Sequence, residues 1–521
     1  MHRLGGLLTL ALLAGCSHRD MPPAAPSDAP AALQSGLSSE KLTRLYLERI
    51  GAIDTRGPTL RSVIAVNPTA LADARARDAA PKTGPLHGLP VLIKDNIDTL
   101  DPLPTTAGSL ALKDNVTGRD SPLVAKLRAA GAVILGKTNL SEWANIRSND
   151  SISGWSAVGG QVRNPHALDR NACGSSSGSG AAIAAGLAAA AIGTETDGSI
   201  TCPASVNGIV GLKPTVGLVS RRHIIPISES QDTAGPMTRT VRDAAVVLTA
   251  IAGSDPQDPA TAPADAKKMD YAAGLDAATL RGRRIGVLRF AAGFDREVDE
   301  VFDAALARMK AVGAELVEIP AFPGDRRAIG GDERLILYTE LKAGLAAYLA
   351  TTKPVVTSRT LADLIAFNKA NAAKEMPLFD QETFIVAEAT KGLDDPAYRT
   401  AKARAKKAAG PDGIDRMLKD ANVEALVAPT AGPAWIIDPV NGDQYAGGGA
   451  GSLPAVAGYP HLTVPMGGVR GLPVGLSIIG TAWDEARLLA IGAAFERVAP
   501  MRLEPTFRPT VEGGKAFDPQ R

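Results

Sequence analysis

Arg284-Ile285-Gly286-Val287-Leu288, followed by Asp295 to Val312 and then Leu316-Val317-Glu318-Ile319, is the stretch that decides the fold class. The first and last segments are short apolar runs of strand length. Between them Val298, Val301, Phe302, Leu306 and Met309 recur at helical spacing, so the three segments read as a β-α-β unit. Further short apolar runs stand at Ala425-Leu426-Val427-Ala428, His461-Leu462-Thr463-Val464 and Gly475-Leu476-Ser477-Ile478-Ile479. Upstream, Ser121-Pro122 opens a helix through Ala130 with an N-cap hydroxyl and proline at the first position, Gly131 ends it, and Ala132 to Leu135 is a buried strand. Ser38 and Ser39 cap an amphipathic helix carrying Leu42, Leu45, Tyr46, Ile50 and Ile53. Strands alternating with helices predict an α/β protein with a large, parallel or mixed sheet flanked by helices.

The 521 residues, 45% hydrophobic, suffice for a large core. The length prior of about three domains is soft, and no linker-like composition break interrupts most of the chain, so one large domain is expected. Gly253 to Ala273 is loop-like and reads as a bridge between two halves. Glu340 to Lys406, charged and helix-prone, is expected to cover one end of the sheet. A formal charge of +1 with dispersed Lys and Arg leaves no electrostatic footprint for nucleic acid.

The N-terminus indicates a place. His2-Arg3 precedes an apolar run, Leu4 to Ala14, shorter than a membrane span and of signal-peptide length. Leu13-Ala14-Gly15-Cys16 resembles the bacterial lipoprotein box. The expectation is a signal over 1–15, lipidation at Cys16 and a flexible Pro/Ala/Ser tether over 16–37, so that the membrane is met only through the lipid anchor of an exported, periplasm-facing chain. The alternatives are an ordinary secretory signal and a disordered tail. Cys173 and Cys202 then remain. An oxidising compartment permits a disulfide between them, although two small buried apolar residues are the preferred reading.

The chemistry lies in three separated blocks: Val91-Leu92-Ile93-Lys94-Asp95-Asn96, Gly174-Ser175-Ser176-Ser177-Gly178-Ser179-Gly180, and Gly193-Thr194-Glu195-Thr196-Asp197-Gly198-Ser199. Two serines in Gly-rich backbone plus one lysine at the end of an interior strand suggest nucleophilic catalysis without histidine, a neutral amine taking the proton through a second hydroxyl. A Ser/Gly run alone reads as a linker. Here it feeds Ala181 to Ala191, which contains only Gly186 besides apolar residues and reads as a buried helix. For Lys94 alone, the bland alternative is an ion pair with Asp95.

Three motif matches fail on context. Gly131 to Thr138 fits the phosphate-loop pattern, yet its intervening residues are themselves the strand. Gly174 to Gly178 fits the G-x-S-x-G elbow, which would make Ser176 the nucleophile and call on His223 or His461. The preceding Arg163 to Arg170 is polar and Pro-broken, and no strand is expected there. Ser38 to Lys41 fits S-x-x-K but reads as a helix cap.

These blocks, with His87-Gly88-Leu89-Pro90 before the lysine strand and Gly208 to Thr215 after the second serine block, resemble the amidase signature family of Ser-Ser-Lys hydrolases, from about Ser38 to Phe495. The resemblance implies the amidase-signature fold as a single catalytic domain over 38–505, followed by a tail over 506–521. Gly136 to Trp143, Asn149 to Ser151 and Ser230 to Pro236 resemble the peptide amidase branch, which deamidates C-terminal peptide amides. Two departures from the general pattern, Asp197-Gly198 before the nucleophile and Cys173-Gly174 before the relay, point to the same branch.

Carried over residue by residue, the resemblance implies that Ser199 attacks the amide carbon and Ser175, preceded by a cis peptide bond that Gly174 eases, relays the proton to Lys94. Backbone N–H groups of Thr196, Asp197 and Gly198 form the oxyanion hole, and Ser176 is supporting. No cofactor or metal is called for. Holding Lys94 largely neutral needs a pKa about three units below the reference value, roughly 4 kcal/mol, which burial can supply. Ser141 to Asp150 and the cover segment are expected to build the pocket. Alternative functions are a protein like the glutamine-hydrolysing component of an amidotransferase, an amidase of other small aliphatic or aryl amides, and a non-catalytic protein retaining the fold.

Overall fold

A computed structural model describes residues 22–26 and 28–511. Eleven strands form one sheet: β1 (Val63–Val66), β2 (Pro90–Lys94), β3 (Val133–Thr138), β4 (Ala190–Glu195), β5 (Val210–Lys213), β6 (Thr233–Thr238), β7 (Arg284–Leu288), β8 (Glu315–Ile319), β9 (Ala425–Pro429), β10 (His461–Val469) and β11 (Leu472–Ile479), in the order β1-β3-β2-β4-β6-β5-β10-β11-β9-β7-β8. The sheet is mixed. β3, β2 and β4 run parallel at one end and β9, β7 and β8 at the other, with antiparallel pairs between.

Alternation along the strands covers both faces. Ala425 and Val427 of β9 join the core that holds Val298 and Phe302, while Leu426 and Ala428 point to a second core with Ile336 and Tyr398. The β-α-β unit forms as read: Arg296–Ala311 is a helix, its N-cap Asp295 accepts from Val298 N–H at 3.0 Å, and β7 pairs with β8 in parallel. Strands buried on both faces are continuous apolar runs, which is why these segments were legible. The cover is helical. Arg326–Leu349, Leu361–Ala370 and Glu382–Glu388 pack through Leu341, Leu345, Leu364 and Phe384 onto Trp143, Ile225 and Ile227.

Several expectations are corrected. The apolar stretch from Ala181 is not one helix: the helix covers Ser177–Ala184, Gly186 turns the chain with φ +67°, and Ala190–Glu195 becomes central strand β4. Alanine favours helix, but a slot between β2 and β6, with every residue of β4 buried, outweighs that preference. A strand, Ala167–Asn171, does precede the Ser/Gly loop, pairing with Arg163–Asn164 in a ribbon outside the main sheet. Ser121 is the N-cap residue of helix Pro122–Ala129, but its hydroxyl makes no cap bond.

The expected flexible tether is not free from residue 22 onward. Arg49 donates to Pro23 O at 2.9 Å, and Ala29–Gln34 is a helix capped by Asp28. The start of the expected tail is also tied down, with Phe507 N–H bonded to Pro165 O and Leu168 N–H to Arg508 O, both at 2.9 Å. Residues 1–21, including Cys16 and the signal, lie outside the described residues. No described helix is long and apolar enough to cross a membrane.

Candidate active site

Three separate parts of the fold meet at the ends of β2 and β4. β2 is buried throughout and delivers Lys94 at its last position. The Lys94 Nζ lies 2.8 Å from Ser175 Oγ, 2.7 Å from Thr194 Oγ1 and 3.2 Å from Thr194 O. Asn96 Nδ2 donates to the same Thr194 hydroxyl at 3.1 Å. Burial lowers the lysine pKa from 10.5 to about 7, opposed by the more distant carboxylates of Asp232 and Glu195. The alternative ion pair with Asp95 is not made. Asp95 faces Lys137, 3.8 Å away, and Lys94 is left with neutral partners.

The Ser/Gly loop reaches the lysine through a cis Gly174–Ser175 peptide. Glycine suits position 174, because a Cβ there would run into Ser141 Oγ. Ser176 is fully engaged: its hydroxyl donates to Thr194 O at 3.0 Å and accepts from Thr194 N–H at 3.2 Å, while its N–H donates to Ser199 O at 3.0 Å. The elbow reading therefore has no free nucleophile at Ser176. Nor has it a histidine, since His461 lies within the sheet with Nε2 2.6 Å from Ser477 Oγ, and His223 sits beside Arg222.

Ser199 follows β4 and stands one residue before Ile200–Thr201, the N-cap and start of helix Thr201–Val206. Glu195 Oε2 accepts from Ile200 N–H at 2.7 Å and Thr201 N–H at 2.9 Å, fixing that helix start against the strand end. Gly198 has φ +78°, with open space where a side chain would stand. The N–H groups of Asp197, Gly198 and Ser199 find no acceptor among the described residues, so this turn presents unused donors. Thr196 Oγ1 donates to Asp232 at 2.6 Å, and Asp232 accepts from Ile227 and Ser228 N–H at 2.8 and 3.0 Å. The direct Ser175–Ser199 hydroxyl contact is not among the hydrogen bonds formed. The two serines share a site, and only Ser175 touches the lysine.

Residues without a signal of their own in the sequence complete the surroundings. Glu333, from the cover, accepts from Gln231 Nε2 at 2.8 Å and faces Asp197; loss of hydration raises both carboxyl pKa values, helped by the Asp197 charge at Glu333 and by the Glu195 charge at Asp197. Asp443 accepts from Ser153 N–H, Asn171 Nδ2 and Trp435 Nε1, each at 3.1 or 3.0 Å, pinning segment 435–445 beside the serine loop. The predicted pocket segment Ser141 to Asp150 is clamped to the cover. Arg147 pairs with Glu142 at 3.2 Å and stacks 4.3 Å from the Phe379 ring centroid. A cavity of about 570 Å³ opens beside Asn96, Thr194 and Thr196, walled by Ile225, Ile227 and Ala347. Among the described residues, no cluster of three or more His, Cys, Asp or Glu side chains is placed to hold a metal ion.

Cys173 and Cys202 are not two separate apolar residues, as the sequence reading preferred. They form a disulfide.

The amidase family model matches residues 41–489. The chain belongs to the amidase family. Among solved structures it is similar to native peptide amidase from Stenotrophomonas maltophilia, at 52% identity over 93% of this chain and 99% of that one, with a TM-score of 0.88. Among curated relatives it is 40% identical to a probable amidase of Arabidopsis thaliana, over 90% of this chain and 89% of that protein. It is 38% identical to a glutamyl-tRNA(Gln) amidotransferase component of Roseiflexus castenholzii, over 89% of this chain and 93% of that one. The amidase fold expected from the resemblance, one large mixed sheet with helices, is the fold found.

Proposed function

We propose that this amidase hydrolyses primary amides to carboxylate and ammonia, with C-terminal peptide amides as substrates, through an acyl-enzyme on Ser199. The observation that carries the reading is a fully buried lysine whose Nζ stands 2.8 Å from Ser175 Oγ, with its pKa brought to about 7. In the proposed sequence neutral Lys94 takes the Ser175 proton as Ser175 takes that of Ser199, whose oxygen bonds to the amide carbon. The oxyanion is held by the N–H groups of Thr196, Asp197 and Gly198. The C–N bond breaks as the proton returns through Ser175 to the leaving nitrogen, releasing ammonia. Water then attacks the ester along the same relay and frees the acid. Support for the substrate class comes from the similarity to peptide amidase, of which one solved structure holds the competitive inhibitor chymostatin.

Ammonia release from peptide amides, free amino-acid amides and glutamine, by wild type and Ser199→Ala, tests the reading. Hydrolysis of peptide amides by wild type alone is expected. Retained activity in Ser199→Ala would sink the assignment, and a preference for glutamine would favour the amidotransferase-like alternative. We also propose that the chain is an envelope lipoprotein anchored at Cys16. Palmitate labelling of the full chain that survives Cys16→Ala would refute that.

A further inference from the structure

The disulfide joins the two loops that carry the serines. Cys173 stands two residues before Ser175, and Cys202 stands three residues after Ser199, the cysteines lying 29 positions apart in sequence. Each cysteine is also fixed on its own side. Cys173 N–H donates to Asn171 Oδ1 at 2.7 Å and Cys173 O accepts from Ser177 Oγ at 2.5 Å, while Cys202 N–H donates to Gly198 O at 2.8 Å. The bond thus runs from the cis-peptide loop to the turn that presents Ser199 and its unused N–H donors. Otherwise the two segments are held together through Ser176, whose N–H reaches Ser199 O and whose hydroxyl is shared with the Thr194 backbone. Those bonds fix Ser176 against the strand end, and just outside the bridge Asn207 Nδ2 donates to both Ala172 O at 3.0 Å and Pro203 O at 2.8 Å. None of them fixes the span from Gly198 to Cys202 against residues 173–174.

From this placement we infer that the Cys173–Cys202 disulfide is a positioning element for catalysis, and that the oxidised protein is the active form. The inference rests on Ser199 and Ser175 acting as proposed. Its chemical content is reversible. A dithiol thiolate attacks Cys202 Sγ, on the less buried of the two residues, a mixed disulfide forms, and Cys173 leaves as a thiolate that takes up a proton. The second thiol of the reagent then closes its own disulfide and releases Cys202 as a thiol. Two electrons and two protons pass from the dithiol to the protein. Ala167, Val206, Ala434 and Leu472 pack around the bridge, and both cysteines lie outside the strands of the main sheet. Misplacing reacting groups by about 1 Å can cost on the order of 100-fold in rate. The loss belongs in kcat, because the bond acts on the reacting hydroxyls and not on the pocket walls.

The experiment compares oxidised wild type, wild type reduced with dithiothreitol, and Cys173→Ser/Cys202→Ser on a peptide amide. Rate of fluorophosphonate labelling at Ser199 is a second readout, and the thermal transition is recorded for all three. The expected result is a kcat and a labelling rate about 10-fold to 100-fold lower in the reduced and double-variant proteins. KM stays within about 2-fold, oxidised glutathione restores the reduced wild type, and the double variant is indifferent to both reagents. A double variant as fast as oxidised wild type overturns the inference. Loss of activity that tracks loss of the thermal transition also overturns it, because the bond would then serve the fold and not the site. Oxidised wild type that is neither active nor labelled at Ser199 refutes the Ser199 assignment itself, a result distinct from either of the others.

Discussion

The acid limb of the pH–rate profile should belong to Lys94. With the amine pKa at about 7, the neutral fraction is about 90% near pH 8 and about 1% near pH 5, so kcat/KM falls by up to roughly 90-fold across that interval. The sign follows from the base requirement: the amine works only when unprotonated, so activity is lost as the pH falls through the folded-state value. Asp232 modifies the limb. Burial raises its pKa to about 6, and once protonated it no longer favours the lysine's charge, so the slope is shallower below that pH. Asp232→Asn removes the same attraction at every pH and should move the midpoint down. The assay is kcat/KM for one peptide amide across the range in a constant-ionic-strength buffer, with wild type and Asp232→Asn. A profile flat within about 3-fold from pH 5 to 8, or a midpoint that rises in the variant, would refute the assignment of the neutral lysine as base.

Replacing the same lysine should raise stability while it abolishes activity. Below pH 7 the folded protein must hold a buried ammonium that the unfolded chain holds in water, and this penalty is relieved as the pH rises from about 7 to 10.5. The difference is worth about 4–5 kcal/mol, so Lys94→Met should be inactive yet unfold at higher denaturant near pH 6; equal or lower stability there would contradict the burial argument. Gly174→Ala should abolish activity because its Cβ meets Ser141 Oγ, and Ser141→Gly in the same chain should recover part of it; no recovery would place the defect elsewhere. Arg147→Ala should cost about 3–5 kcal/mol by leaving Glu142 buried and unpaired. Arg147→Met with Glu142→Leu should cost less, and equal losses in denaturant titrations would refute the pairing argument.

Much of the site was legible because its chemistry is local. The lysine at the end of an apolar run and the glycines at positions 174 and 198 are local features, whereas the choice of Ser175 and Ser199 among the serines rested on the family resemblance. The helix Arg296–Ala311 and its flanking strands were legible for the same reason, since periodicity is set by neighbours in sequence. Burial is not local. Ala190 and Ala191, read as the end of a helix from Ala181, instead begin strand β4, Ala190–Glu195, because β2 and β6 flank it.

By itself, then, the sequence determined the residue types of the site, their order and the α/β class. Tertiary structure decided which partner each took. Lys94 found Thr194 and Ser175 instead of Asp95, and its low pKa comes from desolvation that the surrounding chain supplies. Cys173 found Cys202 across 29 residues, and Asp443 found Ser153 and Asn171 from nearly 300 residues away. Contacts of that range depend on the order of strands in the sheet, which no local pattern encodes, because each strand's apolar faces would suit several neighbours and only the assembled core selects one.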